Sequence, residues 1–543
     1  MRIIDKSAWL LVVLSGGLQV LIFPTPDLYW LCWVAITPLL VAVLRARTPE
    51  LEISGALGRQ SLLPATAGQA FLLGWLAGAI TYAGSCYWVM YTMHVYGGLN
   101  TPVALGVQVL FCLWVGAQTG LFALLLALVA GKEAKSRSGI TRTLIAAPFL
   151  WVAVELIRSR IIGLPWDLLG NAQVNNIPLT RLATVTGVYG LSFEIMVVNT
   201  AFAAAILTRQ RRKALLGAAV FAAAALQLSV FVQPPPVPAS YSATLVQPNL
   251  SLDENWTSQR FRQTLAAMQA LSLAPAAGRP ATDLAVDLIV WPESPGPFWA
   301  NEPAFRTAAS QLAIQSRAYL IAGALAVDEA SVKAGQVDPE PLLNTAVLIT
   351  PDGHWVASYD KIHLVPFGEY VPYRSVLGFA HQLTREVGNF VPGWRRTVFD
   401  MGSYKMGPFI CYESIFPNEI RQFALQGAQV FVNISDDAWY GRTGAPGQHL
   451  NMARMRAIEN DRWLLLGTNN GITAAVDPFG RIVEQAPRNV FTALNTHFGI
   501  VTTTTFYTRH GDWFAWLCVI ITVFSTQYSV LNSWLQRRPK TGN

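Results

Sequence analysis

Long apolar runs with few charges fill the first 233 residues of the chain and return once after Asp512, while the stretch between them holds only short ones. A hydrocarbon core of ~30 Å takes about 20 apolar residues per helix. The runs therefore predict eight membrane spans, near 8–23, 28–44, 69–90, 102–130, 142–160, 182–208, 214–232 and 513–535. The first is short enough to resemble a signal peptide. It runs into Pro24-Thr25-Pro26 without a small-residue cleavage site, and a second apolar run follows at once, so it is expected to be a span.

Gln233-Pro-Pro-Pro-Val-Pro238 reads as a stiff linker. Beyond it, β-rich stretches (241–247, 286–291, 319–325, 344–350, 405–411, 428–434, 463–468, 472–477) alternate with helical ones (257–272, 303–317, 414–426, 446–461). That alternation predicts an α/β domain. The expected division is 1–233 for seven transmembrane helices, 234–508 for the α/β domain, and 509–543 for the eighth span and a tail.

Composition and charge sharpen this picture. At 543 residues, with 52% hydrophobic and 13% charged, the chain is too apolar for a soluble protein. With the N-terminus inside, the inner segments hold Arg2, Lys6, Arg45, Arg47, Arg59, Lys132, Lys135, Arg137, Arg142, Arg209, Arg211, Arg212, Lys213, Arg537, Arg538 and Lys540. The short outer loops hold only Arg158, Arg160 and Arg181, a ratio of 16 to 3. Basic residues mark cytoplasmic loops, so both termini are expected in the cytoplasm and the α/β domain outside it. The net charge of +7 then follows from topology, and no nucleic-acid partner is implied. The seven histidines show no metal-ligand spacing and no glycine-rich loop opens a helix, so no cofactor is expected.

Of the five cysteines, Cys32, Cys86, Cys112 and Cys518 fall in predicted spans, which leaves Cys411 alone in the outer domain. An unpaired cysteine in an oxidising compartment invites a reactive-thiol reading. Three segments each end a predicted strand in a reactive side chain: Leu288-Ile-Val-Trp-Pro-Glu293, Tyr359-Asp-Lys361 and Met406-Gly-Pro-Phe-Ile-Cys411. Strand C-termini are where ligands bind in α/β domains. Cys411 would stand at a strand-to-helix turn, near the positive end of a helix dipole that favours thiolate. The Tyr412 amide lies next to the position where an oxyanion would form. Glu293 could take the thiol proton, and Lys361 could hold developing negative charge. Taken singly, each residue also has an ordinary reading, as a core thiol, a loop carboxylate and a solvated lysine.

Together they resemble the Glu-Lys-Cys triad of the nitrilase superfamily, in the same chain order and over most of 241–500. The resemblance narrows to the apolipoprotein N-acyltransferases, in which a nitrilase-like domain is inserted before the last of eight spans. It is carried by Val246-Gln-Pro-Asn-Leu with Trp256, Trp291-Pro-Glu-Ser, His363-Leu-Val-Pro-Phe-Gly-Glu-Tyr-Val-Pro, Ile410-Cys-Tyr-Glu, Ala438-Trp-Tyr-Gly441, Ala453-Arg-Met-Arg-Ala-Ile-Glu-Asn460, Thr468-Asn-Asn-Gly-Ile-Thr473 and Gly163-Leu-Pro-Trp166. One departure stands out: the family usually has Ser-Asn-Asp-Ala-Trp where this chain has Ser435-Asp436-Asp437-Ala-Trp439.

The resemblance implies an α-β-β-α sandwich and further roles by position. Glu369 would help position Lys361, Tyr412 and Glu413 flank the nucleophile, and Trp256 matches a tryptophan of the active-site region. Glu413 could equally be a helix-start carboxylate, and Trp256 could serve packing alone. Arg158 and Arg160 could meet lipid phosphate, although such residues are more often interfacial anchors; Glu155 and Glu194 lie in or near spans, with Glu155 able to pair with Arg158. The aromatic loop 366–395 could dip into lipid as a lid or cover the domain's own core. The implied reaction is acyl transfer from a phospholipid, through a thioester, to the N-terminal amine of a diacylglyceryl-cysteine apolipoprotein in the inner membrane. A membrane-tethered amidase delivering the acyl group to water would use the same triad. A transporter with an inert outer domain would need a broken helix pair with facing charges, which the sequence lacks.

Overall fold

The computed structural model describes residues 4–47, 63–131, 136–208, 211–252, 255–274, 286–294, 296–329, 332, 341–370 and 389–535. The chain divides into two compact units: Met1–Val89 with Leu105–Gln233 and Asp512–Asn543, and Met90–Ala104 with Pro234–Gly511.

In the first unit lie helices of membrane-crossing length and hydropathy. Among the described residues these are Thr101–Ala130, Ser138–Ile162, Val188–Leu207, Arg212–Phe231 and Trp513–Leu531, the first of them beginning in the second unit. The segment expected to span at 69–90 is a helix pair, Ala67–Ser85 and Trp88–Val95, bent by 54°. The expected spans at 8–23 and 28–44 are the shorter apolar helices Lys6–Leu21 and Tyr29–Leu44. The latter is interrupted at Ile36, two residues before Pro38. Asn199 Oδ1 accepts from the amides of Ile36 and Thr37 at 2.9 Å each, so backbone donors are satisfied at the break. Small residues let two helices of this unit touch: a Cβ on Gly78 would lie 2.6 Å from the Gly116 carbonyl oxygen.

Among the described residues, the second unit is built on two six-stranded sheets. One has the order β12-β1-β2-β3-β4-β5, from β1 (Tyr241–Gln247), β2 (Leu288–Val290), β3 (Tyr319–Val327), β4 (Leu342–Ile349), β5 (Trp355–Asp360) and β12 (Thr492–Phe498). The other has the order β11-β10-β9-β8-β7-β6, from β6 (Phe399–Asp400), β7 (Lys405–Ile410), β8 (Val430–Ser435), β9 (Trp463–Thr468), β10 (Ala474–Val476) and β11 (Ile482–Gln485). Helices α1 (Ser258–Ser272) and α2 (Pro303–Ser316) pack on the first sheet, and α3 (Pro417–Leu425) and α4 (Ala445–Asn460) on the second. The sheets meet at β1 with β9 and at β4 with β7, which makes an α-β-β-α sandwich.

The strands β8 and β9 are buried throughout, as their apolar runs require. By contrast β6, β11 and β12 escape the sequence pattern, and β5 is marked only by its end at Lys361, with no apolar run. They are polar, partly exposed or only two residues long, so no apolar run marks them. The helix expected over 414–426 starts only at Pro417, after a 3₁₀ turn, Cys411–Ile415.

Candidate active site

Each candidate residue leaves the C-terminal end of a strand. Glu293 lies three residues past β2, Lys361 directly follows β5, and Cys411 directly follows β7. The strands β2 and β3 are parallel, and β4 is antiparallel to both β3 and β5, so β2 and β5 run the same way and deliver Glu293 and Lys361 at one edge. Gly323 on β3 permits the close seating of Glu293: a Cβ there would lie 2.3 Å from the Pro292 carbonyl oxygen and 2.7 Å from Glu293 Cα.

Lys361 is 1% exposed and bridges two carboxylates, with Nζ 3.2 Å from Glu293 Oε1 and 2.9 Å from Glu369 Oε1. Asn344 on β4 donates through Nδ2 to the same two oxygens, at 2.6 and 2.9 Å. The amide of Val365 donates to Glu369 Oε2 at 2.7 Å, and the amide of Asp436 to Glu293 Oε2 at 2.8 Å. Burial works against the Lys361 charge, but Glu293 and Glu369 outweigh it and hold the ammonium well above the ordinary lysine range. The two carboxylates thus favour the charged form of Lys361.

Glu413 ties the loop after β5 to the end of β7. Its Oε1 accepts from Tyr359 OH (2.7 Å), the Ile362 amide (2.7 Å) and the His363 amide (3.2 Å), and its Oε2 accepts from the Ile410 amide (2.7 Å). One buried carboxylate thus fixes the segments that carry Lys361 and Cys411. Burial pushes its pKa up, and these hydrogen bonds oppose the rise.

Cys411 is 5% exposed and has φ +48°, a left-handed conformation that non-glycine residues adopt only where their surroundings impose it. Its thiol lies well above the ordinary cysteine range, chiefly because it is buried and secondarily because of the Glu293 charge, with Lys361 pulling the other way. The expectation of a helix dipole favouring thiolate is thus overturned. The 3₁₀ turn separates Cys411 from the start of α3, and burial of the sulfur disfavours thiolate.

The sequence-selected residues do not all converge. Glu293, Lys361, Glu369 and Cys411 share one polar cluster, and Glu413 braces it. Tyr412 is buried with its ring edge-on to Phe416, at a centroid distance of 5.3 Å. Trp256 packs edge-on against Phe298 at 5.9 Å, beside the α1/α2 core, and its ring lies over Gly296, three residues past Glu293. Sequence reasoning missed Asn344, and it missed His449, whose ring bonds both Asp437 and the Cys411 carbonyl. An asparagine inside a predicted strand and a histidine inside a predicted helix gave no signal of their own.

Of the lid expected over 366–395, residues 371–388 lie outside the described residues. On the described flank Trp394 is 87% exposed, so it does not cover the domain's core. In the first unit Arg158 is buried and donates to the Tyr82 hydroxyl, Arg160 pairs with Asp512 (Nε to Oδ2, 3.1 Å), and Glu155 Oε1 accepts from Trp151 and the Leu169 amide.

Residues 242–494 match the carbon-nitrogen hydrolase family, and residues 15–201 match the apolipoprotein N-acyltransferase N-terminal domain. The apolipoprotein N-acyltransferase of Geobacter metallireducens is 34% identical over 95% of this chain and 94% of its own. That of Pseudomonas paraeruginosa is 31% identical over 90% of each. Among solved structures, Saccharomyces cerevisiae Nit3, a member of branch 10 of the nitrilase superfamily, is similar over 49% of this chain and 93% of its own, at 20% identity and a TM-score of 0.36. A membrane part and a carbon-nitrogen hydrolase part in this order, matched over nearly the whole chain by relatives at this identity, make the protein a member of the apolipoprotein N-acyltransferase family.

Proposed function

We propose that the protein moves an acyl chain from a phospholipid to the α-amino group of a diacylglyceryl-cysteine at a lipoprotein's N-terminus, through a thioester on Cys411. The observation that carries this reading is a buried thiol in a strained turn beside a Glu293–Lys361 ion pair. A thiol that rests protonated needs a base at the moment of attack, and Glu293 fills that role. The carboxylate takes the sulfur's proton as sulfur bonds to the ester carbonyl carbon. Lys361 and the Tyr412 amide meet the oxyanion. The tetrahedral adduct then collapses, the C–O bond breaks, and the departing lysophospholipid alkoxide takes the proton back from Glu293. In the second half the lipoprotein amine attacks the thioester, Glu293 receives the amine proton, and the C–S bond breaks to give an amide. The sulfur recovers its proton from Glu293. Glu369 and Asn344 keep Lys361 and Glu293 in register throughout.

The arrangement in the membrane follows from the charge asymmetry and the apolar segments. The five long helices, the bent pair and the two shorter apolar helices support eight passes, seven within 1–233 and the last within 509–543. Residues 234–508 then face the periplasm, with both termini in the cytoplasm of the inner membrane. Both substrates are lipids, so a catalytic domain anchored at the bilayer meets them without drawing their chains into water.

The test is the intact mass of the purified protein after exposure to phospholipid. A long-chain adduct on Cys411 that hydroxylamine removes, and that a diacylglyceryl peptide with a free N-terminus discharges to an N-acylated peptide, is the expected result. Rapid release of free fatty acid at a rate the peptide does not change would make the enzyme a hydrolase.

A further inference from the structure

The helix α4 is buried on nearly every side, yet it carries Gln448, His449, Arg454, Arg456, Glu459 and Asn460, all of them buried. Polar side chains enter a protein interior when they have partners there. Two of these reach the turn that follows β7. His449 Nε2 lies 3.0 Å from the Cys411 carbonyl oxygen, and Arg456 Nη1 donates to the Ile415 carbonyl at 3.2 Å. Seven residues separate His449 from Arg456, two helical turns, so both project from one face of α4. They grip the first and last carbonyls of the Cys411–Ile415 turn.

The hydrogen positions on His449 follow from its partners. A carbonyl oxygen only accepts, so Nε2 donates to Cys411. On the other side Nδ1 lies 3.1 Å from Asp437 Oδ1, an oxygen that already accepts from Ser435 Oγ at 2.8 Å. Both ring nitrogens therefore act as donors, and the ring orientation is fixed from both ends. Burial alone would strip the second proton, but the Asp437 charge outweighs it and lifts the imidazole above its ordinary range. His449 is 0% exposed, so bulk water does not replace either partner.

We propose that His449, oriented by Asp437, is a positioning residue for acyl transfer: its Nε2–H holds the Cys411 carbonyl and so maintains the left-handed backbone that aims the thiol. The inference rests on the reading of Cys411 as the nucleophile. The strain at φ +48° makes the role specific. Asn433 Nδ2 also reaches the Cys411 carbonyl, at a longer 3.4 Å against 3.0 Å for His449; without the shorter bond the turn can relax toward an ordinary conformation, and the sulfur leaves the path of attack while the substrate pocket is unchanged. The effect then falls on the acylation rate and not on phospholipid affinity.

Two near-isosteric replacements separate positioning from packing. His449→Gln keeps a donor near the place of Nε2, and His449→Asn keeps one near the place of Nδ1. In single-turnover acylation followed by intact mass, His449→Asn is expected to form the Cys411 thioester about 100-fold more slowly than the parent. His449→Gln should stay within about tenfold, with KM for phospholipid and the melting temperature alike in both variants. Equal rates in the two folded variants would overturn the proposal, because a packing role cannot tell the two nitrogens apart. Should either variant not fold, Asp437→Ala decides. Removing a negative charge beside Cys411 by itself eases thiolate formation and would speed acylation, whereas loss of the ring's anchor slows it. A slower rate at unchanged KM supports the proposal, and an equal or faster one overturns it. A parent protein that forms no Cys411 thioester overturns the nucleophile reading itself, and His449 falls with it.

Discussion

Replacing Asp436 by the asparagine usual in the resembled family should stabilise the protein, by an amount that grows with pH. Asp436 is 3% exposed, and its Oδ1 accepts from the Ala438 amide (3.0 Å) and from Asn469 Nδ2 (3.1 Å). The Asn469 amide cannot turn over, because its Oδ1 accepts from the Leu250 amide while its Nδ2 donates to the Leu250 carbonyl. An asparagine at this position can present its own oxygen to both donors. Its uncharged amide then stands where the carboxyl meets a large penalty for ionising. Burial is the main cause of that penalty, with the neighbouring Glu293 charge adding to it, and the Asp436 pKa rises from 3.8 to about 8.

The sign follows from proton binding. Between pH ~4 and ~8 the folded protein holds a proton on Asp436 that the unfolded chain has already released, so stability falls as pH rises, by about 1.4 kcal/mol per unit. Its contribution is whole below pH ~4 and gone once pH passes ~8. The amide of the Asp436→Asn variant does not titrate, so from pH 6 to 8 the variant's advantage should widen by about 3 kcal/mol. At roughly 2 °C per kcal/mol for a domain of this size, the two melting temperatures should separate by about 5 °C more at pH 8 than at pH 6. Thermal melting of the detergent-solubilised proteins across that range reads this directly. Parallel curves would refute the claim that Asp436 is held protonated. The Asp436 amide that binds Glu293 is backbone and survives the substitution, so acylation near neutral pH should be retained.

Three further outcomes are expected. Lys361→Met leaves Glu293 and Glu369 facing each other without their cation; thioester formation should fall by about 10²–10³-fold, with a loss of stability of ~3 kcal/mol, both measurable by intact mass and melting. Glu413→Gln turns one accepting oxygen into a donor against backbone amides, which should cost about 1–3 kcal/mol and slow acylation at unchanged phospholipid KM. A cysteine placed at the exposed Arg262 position should react with an impermeant maleimide on intact spheroplasts, and labelling only after the inner membrane is opened would reverse the topology.

What could be read from the residues, and what could not, divides along a physical line. Lipid demands long uncharged runs, so the spans show in the sequence whatever surrounds them. Their breaks do not, because the group that satisfies Ile36 and Thr37 is Asn199, on another helix far along the chain. Glu293 and Cys411 could be found because each ends a buried strand whose apolar run stops abruptly. Lys361 also stood out as a reactive side chain at a strand end, but its strand is half-exposed and lacks such a run, so the mark is weaker. Asn344, Asp437 and His449 have no such marks. Asn344 matters because the antiparallel pairing of β4 with β5 sets its carbonyl opposite the Lys361 amide (2.8 Å) and brings its side chain to both carboxylates. His449 matters because α4 lies against the turn after β7. A polar side chain on a solvated helix and one on a buried helix look the same in sequence, and what separates them is the partner that the fold supplies. The orientation of His449 depends on Asp437, whose loop follows β8, and on Cys411, whose turn follows β7. Cys411 is thus marked locally, while the contacts that hold its turn exist only once the parallel strands β7 and β8 have been paired and α4 laid across their ends.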